Sequence, residues 1–149
     1  MKKLTVKFTA YLLGVFICSS ALACSCRLGD VDEKFAQHEF VFTGKVSNIV
    51  RLDARNAFGD PAIIVTFEVE KSWKGAGKTI VLHTAENAMG CYGYWFKEGH
   101  DYLVFAFQDQ LKQLDTFWCG GVIPKLTNEG EPSSNYSEEV QQLNHLSEQ

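Results

Sequence analysis

Cys24-Ser25-Cys26 is the stretch of this chain best equipped for chemistry. Two sulfurs one residue apart can each be tied by a disulfide to another segment, and the residues just upstream read as a secretory leader. Cut after Ala23, the chain would begin at Cys24, and its free α-amino group would lie beside a cross-linked sulfur. A pinned amine and its own carbonyl oxygen form a five-membered chelate for a metal ion. With a reference pKa of ~7.7–8.0, such an amine has a neutral, ligating fraction at neutral pH. Redox chemistry fits less well, because the usual dithiol motif places two residues between its cysteines and opens a helix. Other chemistry is hard to locate. His38, His83, His100 and His145 are scattered, without His-x-x-x-His spacing or a carboxylate pairing that would make a metal site. No Ser/His/Asp arrangement, nucleophile elbow or glycosidase-like carboxylate pair stands out, so neither an enzyme nor a cofactor is expected.

The leader spans residues 1–23. Lys2, Lys3 and Lys7 form its positive start, Ala10 to Ile17 its apolar run, and Ala21-Leu22-Ala23 a small-x-small cleavage site. The apolar run falls short of the ~20 residues that span a bilayer, so no transmembrane segment is expected. A lipid on Cys24 is the rival processing route, but such sites usually carry Leu where Ala21 stands. The expected location is therefore secreted or periplasmic. Loss of the three leader lysines moves the formal charge from −4 to −7, with 11 basic and 18 acidic residues remaining. That balance argues against nucleic acid as a partner.

Four cysteines stay behind: Cys24, Cys26, Cys91 and Cys119. An even count in an exported chain implies a disulfide framework, with three pairings open. Joining Cys24 to Cys26 would close a very small, strained ring, which disfavours that pairing. Closing long loops instead could stabilise the fold by ~4 kcal/mol per bridge on the chain-entropy account.

The elements that would position this stretch follow from periodicity. Asp30 can cap a short helix running to about His38, with Val31 and Phe35 on one face. Residues 39–50 alternate as a strand, with a bulge signal at Gly44. Residues 52–60 are polar and end in the turn Gly59-Asp60-Pro61. Ile63, Val65, Phe67 and Val69 mark the cleanest strand, and Lys74-Gly75-Ala76-Gly77 turns the chain into a short one over 79–83. Residues 72–79 have the outline of a phosphate loop, but Ser72 occupies the first glycine position, so a hairpin loop is expected. Residues 85–99 are irregular and carry Cys91 with Tyr92, Tyr94, Trp95 and Phe96. Tyr102 to Phe107 is almost continuously apolar and should be buried on both faces. A last strand is expected over 112–119, then a linker at 130–134 and a helix over 137–146 with Val140, Leu143 and Leu146 on one side. Five strands between two helices point to a small all-β barrel, closed or nearly closed and antiparallel, although pattern alone does not separate barrel from sandwich.

These residues also resemble a known family. Cys24-Ser25-Cys26, the helix after it and Val41-Phe42-Thr43-Gly44-Lys45-Val46 are similar to the start of netrin-like domains. Within that group the chain most resembles the tissue inhibitors of metalloproteinases and their bacterial-type relatives. Phe67-Glu68-Val69-Glu70-Lys71-Ser72-Trp73-Lys74-Gly75, the order Cys91, Gly93, Phe96, Gly99, then Tyr102-Leu103-Val104-Phe105-Ala106, and Cys119 extend the likeness over about residues 24–120. The resemblance implies an OB-fold-like five-stranded barrel with Cys24 paired to Cys91 and Cys26 to Cys119. It further implies that Cys24 chelates the catalytic zinc of a target metalloproteinase through amine nitrogen and carbonyl oxygen, while Ser25 points into the adjoining pocket. The zinc metalloproteinase would be the partner, and the inhibitor a monomer. Residues 24–126 would form the domain and residues 127–149 a linker and helical tail.

The chain departs from that pattern in lacking a third disulfide, in having Arg27-Leu28-Gly29 where a proline is expected, and in having no separate C-terminal disulfide domain. Tyr92 and Tyr94 are candidate partner contacts beside Cys91, and packing of the same aromatic group into the core is the competing reading. The alternative function is a non-inhibitory exported module that uses the same stapled barrel to bind proteins or polysaccharides.

Overall fold

The computed structural model describes residues 29–56, 59–86, 93–117 and 119–148. Helix α1 (Val31–Gln37) comes first, with Asp30 at its N-cap in extended backbone. The expected side-chain cap is not formed, since the Asp30 carboxylate makes no capping hydrogen bond. Then come β1 (Phe40–Arg55), β2 (Pro61–Lys74), β3 (Thr79–Ala85), β4 (Asp101–Gln108), β5 (Leu114–Thr116), β6 (Val122–Pro124) and helix α2 (Ser134–Leu146).

Pairing runs β1-β2-β3-β5-β4 and returns from β4 to β1, which closes a five-strand barrel. Four of the five contacts around the ring are antiparallel; β3 and β5 meet in parallel, through Leu82 and Leu114, which departs from the all-antiparallel expectation. Closure depends on β1, which reaches two partners. Its first half pairs with β4 from Phe40–Ala106 to Lys45–Asp101, while β2 follows it from Val41–Lys74 to Arg55–Pro61. The pairing with β2 slips at Thr43/Gly44, where the bulge was expected. A Cβ on Gly44 would stand 2.7 Å from the Glu68 carbonyl oxygen, so close backbone approach requires glycine there. The strand continues through residues 52–55, part of the polar 52–60 stretch that reads from sequence as a connection, because its backbone still finds partners on β2.

Alternation puts Phe42, Val46, Ile63, Val65, Phe67, Ile80 and Leu82 inside the barrel. Phe67 is the hub of that interior: its ring meets Phe42 and Phe96 edge-on, each at 5.4 Å. The β4 strand is buried on both faces, as its apolar run predicts. Tyr102, Val104 and Ala106 point inward, whereas Leu103 and Phe105 join an outer cluster with Val31, Val41, Ile123, Tyr136 and Leu143.

The strand expected over 112–119 is interrupted. β5 pairs with residues 106–108 of β4 and β6 with residues 102–104, one after the other along the same edge. Between them Gly120 takes φ +78°, and the Gly121 amide donates to the Phe117 carbonyl at 3.1 Å. The helix read from Ser137 starts earlier, at Ser134, because Ser133 caps it and accepts from the Tyr136 amide at 3.4 Å. No helix among the described residues is long and apolar enough to cross a membrane.

Candidate functional site

The described segments on either side of residues 87–92 and the turn after β5 meet at one end of the barrel. The chain exits β3 at Ala85, and the Glu86 amide donates to the Pro61 carbonyl at 2.9 Å. It returns at Gly93, whose amide donates to Thr116 at 3.3 Å, while the Tyr94 amide donates to Ala85 at 3.1 Å. Gly93 follows Cys91 by two residues and Thr116 precedes Cys119 by three. At ~3.3–3.6 Å of reach per residue, Cys119 lies within ~11 Å of Thr116. Cys119 lies at the start of the turn that leads into β6. Its expected partner Cys26, together with Cys24, Ser25, Cys91 and Tyr92, lies outside the described residues.

Helix α1 lies against the same region. At its C-terminus His38 sets its ring edge-on to Phe105 at 5.6 Å and to Phe117 at 6.4 Å. Phe117 in turn stacks on Phe107 at 4.4 Å, within the turn that leads to Cys119. His38 Nδ1 sits 2.7 Å from the Lys34 carbonyl, and burial depresses the ring's pKa, so the neutral tautomer with Nδ1–H donating is favoured.

Lys34 fastens this helix. It is only 8% exposed, its ammonium lies 2.5 Å from both carboxylate oxygens of Glu139 on α2, and it sits 4.8 Å from the Phe105 ring centre. Sequence reading passed over this pair, although Lys34 shares the helical face of Val31 and Phe35. On the solvent side of the barrel end, the Arg51 guanidinium grips the Glu86 carboxylate, with Nε at 3.0 and 2.8 Å from its two oxygens. That hydrogen bonding holds the Glu86 carboxyl below its ordinary range.

A second polar group lies between β3 and β5. Asp115 Oδ1 accepts the Thr116 amide at 2.7 Å, yet burial raises the carboxyl's pKa, opposed by the Thr84 hydroxyl, the Thr116 amide and His83, while Asp109 adds to the rise. Thr84 Oγ1 is close enough to favour the ionised carboxylate, but no partner meets full hydrogen-bond geometry with this buried oxygen.

The aromatic group divides by alternation. Tyr94 and Phe96 turn in, with rings 5.1 Å apart, and Tyr94 meets Tyr102 at 5.8 Å. Burial pushes the Tyr94 hydroxyl up in pKa, as packing against the core predicts. Trp95, between them, is 53% exposed and offers more surface to a partner than Tyr94 does. Among the described residues no group of three or more His, Cys, Asp or Glu could hold a metal ion. No family model matches the chain, and no curated protein matches it.

Proposed function

We propose that this chain is an exported inhibitor of zinc metalloproteinases, built on an OB-fold-like barrel and acting through the amine and carbonyl of a mature N-terminal Cys24. The observation that carries the reading is the Gly93–Thr116 hydrogen bond, which brings the segments adjoining Cys91 and Cys119 to one end of the barrel. Two cysteines separated only by Ser25 would need bridge partners close to each other, and the Gly93–Thr116 contact is compatible with that. The ring order β1-β2-β3-β5-β4 with a parallel β3–β5 contact supports the barrel on which the reading rests.

A catalytic zinc typically has three protein ligands and an exchangeable water. The amine and carbonyl oxygen of Cys24 would displace that water, and Ser25 would enter the adjoining pocket. Bridges to Cys91 and Cys119 would hold the segment still, so that little ordering entropy is lost on docking. The α-amine must be unprotonated to ligate, so inhibition strengthens as pH rises toward the amine's pKa near ~8.

The test is a peptide-cleavage assay against a panel of zinc proteases, run with the exported protein after its intact mass has established cleavage before Cys24 and two disulfides. Inhibition is expected, and one Ala inserted before Cys24 should abolish it while thermal stability barely moves. A protein of correct mass that inhibits none of the panel, or whose inhibition survives the insertion, refutes the reading.

A further inference from the structure

Helix α1 is fastened to the rest of the molecule by different chemistry along its length. Val31 packs into the outer apolar cluster, and Lys34 is paired with Glu139. At the C-terminal end the anchor is His38, whose ring lies edge-on to Phe105 of β4 and to Phe117. The helix has little intrinsic stability to add. It is seven residues long, below the ~12 at which isolated helices become even marginal, and its N-cap Asp30 makes no side-chain capping bond.

The backbone at this end is served without a charge on His38. The Lys34 carbonyl accepts the His38 amide at 3.1 Å and faces ring Nδ1 at 2.7 Å, while the Phe35 carbonyl accepts the Lys74 ammonium at 2.9 Å. Lys74 also lies 5.2 Å from the Phe35 ring centre, and Lys34 lies 4.8 Å from that of Phe105. Two ammonium groups thus flank the imidazole, one from α1 and one from β2, and Phe105 and Phe117 bring no charge. The carboxylates on the adjoining elements are engaged or remote. Glu139 of α2 is bound to Lys34, Glu39 accepts the Gln108 amide at 3.0 Å, and Asp32 and Glu33 lie in the first turn of α1, away from His38. A proton on this half-buried ring therefore adds a third cation to a seam lined by aromatic side chains.

We infer that His38 makes α1 an acid-released latch: protonation of its ring frees the C-terminal end of the helix from Phe105 and Phe117 while the barrel stays folded. Burial is the largest cause that holds the ring neutral; the hydrogen bond to the Lys34 carbonyl opposes it, and Lys34 and Lys74 act with burial. The sign follows by linkage. The packed ring holds its proton less tightly than an unpacked one, so the stability it contributes is complete above the ordinary value of 6.5 and is lost as pH falls through the folded value. The barrel cluster around Phe67 contains no histidine and gives no matching response. The latch is independent of Cys24, so it holds whether or not the chain inhibits a protease.

The experiment is amide hydrogen exchange of the mature protein, read by mass spectrometry at about pH 7.5 and about pH 5.5, with each set corrected for the intrinsic exchange rate. Residues 31–38 should open about threefold more often or better at the lower pH, while residues 101–108 of β4 keep their protection. His38→Phe, neutral at both pH values, should abolish the difference. His38→Gln, which keeps a donor for the Lys34 carbonyl, should abolish it as well. A proton NMR titration of the parent should place the His38 ring below 6.5. Equal opening of α1 at both pH values overturns the inference. So does a parallel loss of protection in β4, a pH response that survives either variant, or a His38 ring that titrates at or above 6.5.

Discussion

Glu139→Ala tests how the two ends of this chain are held together. In the folded protein the Lys34 ammonium touches both oxygens of Glu139 at 2.5 Å, with side chains only 10% and 19% exposed. Removing the carboxylate leaves a cation against the Phe105 ring and the outer apolar cluster. Breaking a buried pair from one side typically costs ~3–5 kcal/mol. Glu139 keeps some access to water, so the low end applies, about 3 kcal/mol. For a domain of this size each kcal/mol moves Tm by about 4 °C, so Glu139→Ala should lower it by about 12 °C. Lys34→Met keeps the apolar stem and lets Glu139 turn to solvent, at a cost of about 1 kcal/mol. The double variant Lys34→Met/Glu139→Ala removes both charges together and should cost about 2 kcal/mol, less than the sum of the two singles.

Thermal unfolding followed by circular dichroism, with the disulfides intact, gives all three values and closes the double-mutant cycle. The expected coupling is on the order of 2 kcal/mol. If Glu139→Ala costs less than ~0.5 kcal/mol, or the single effects simply add, the pair behaves as an exposed ion pair and the reasoning fails.

The remaining predictions concern β5 and a turn. Asp115 has its carboxyl raised by burial, so its contribution to stability is fully present below its unfolded pKa and is lost as pH rises through the folded one. Asp115→Asn keeps an oxygen for the Thr116 amide, so its Tm should exceed the parent's at pH 7, and the gap should close as pH falls toward the ordinary Asp value of 3.8; a gap that widens on acidification refutes this. Gly75 sits at φ +73°, and a Cβ there would stand 2.5 Å from the Glu39 carbonyl oxygen. Gly75→Ala should therefore cost about 2 kcal/mol or more in a urea titration, and an unchanged midpoint would contradict that.

Much of the barrel was legible in the sequence because its two sides differ in polarity. The period-two pattern from Ile63 to Val69 matches a strand with one face in the core, and the unbroken run from Tyr102 to Ala106 matches one with both faces covered. Gly44 announced its bulge through residue type alone. The β5–β6 break was not legible, because the turn over 117–121 keeps aromatic residues and its backbone reversal depends on β4 supplying both partners. Residues 52–55 were misread for a related reason. Their side chains are exposed, and only pairing with β2 makes them strand. Of the candidate site, spacing and the leader singled out Cys24, Cys26, Cys91 and Cys119, whereas the meeting of Gly93 with Thr116 is a tertiary fact that no local pattern carries. Asp115 was invisible for the same reason: its environment is made by β3, a strand 30 residues upstream.

The C-terminal helix reads from sequence as a tail, yet the barrel gives it a structural task. Leu103 and Phe105 face outward from the most deeply buried strand, and without a cover they would add a large apolar patch to the surface. Tyr136 and Leu143 of α2 supply that cover, with Val31 of α1 beside them, and the Lys34–Glu139 pair fixes the two helices relative to each other. The Trp73 indole and the Lys71 ammonium both donate to Asn144 Oδ1, at 3.0 and 2.5 Å, which fastens the far end of α2 to β2. Helix α1, the first described element, is thereby fastened by a helix from the other end of the chain.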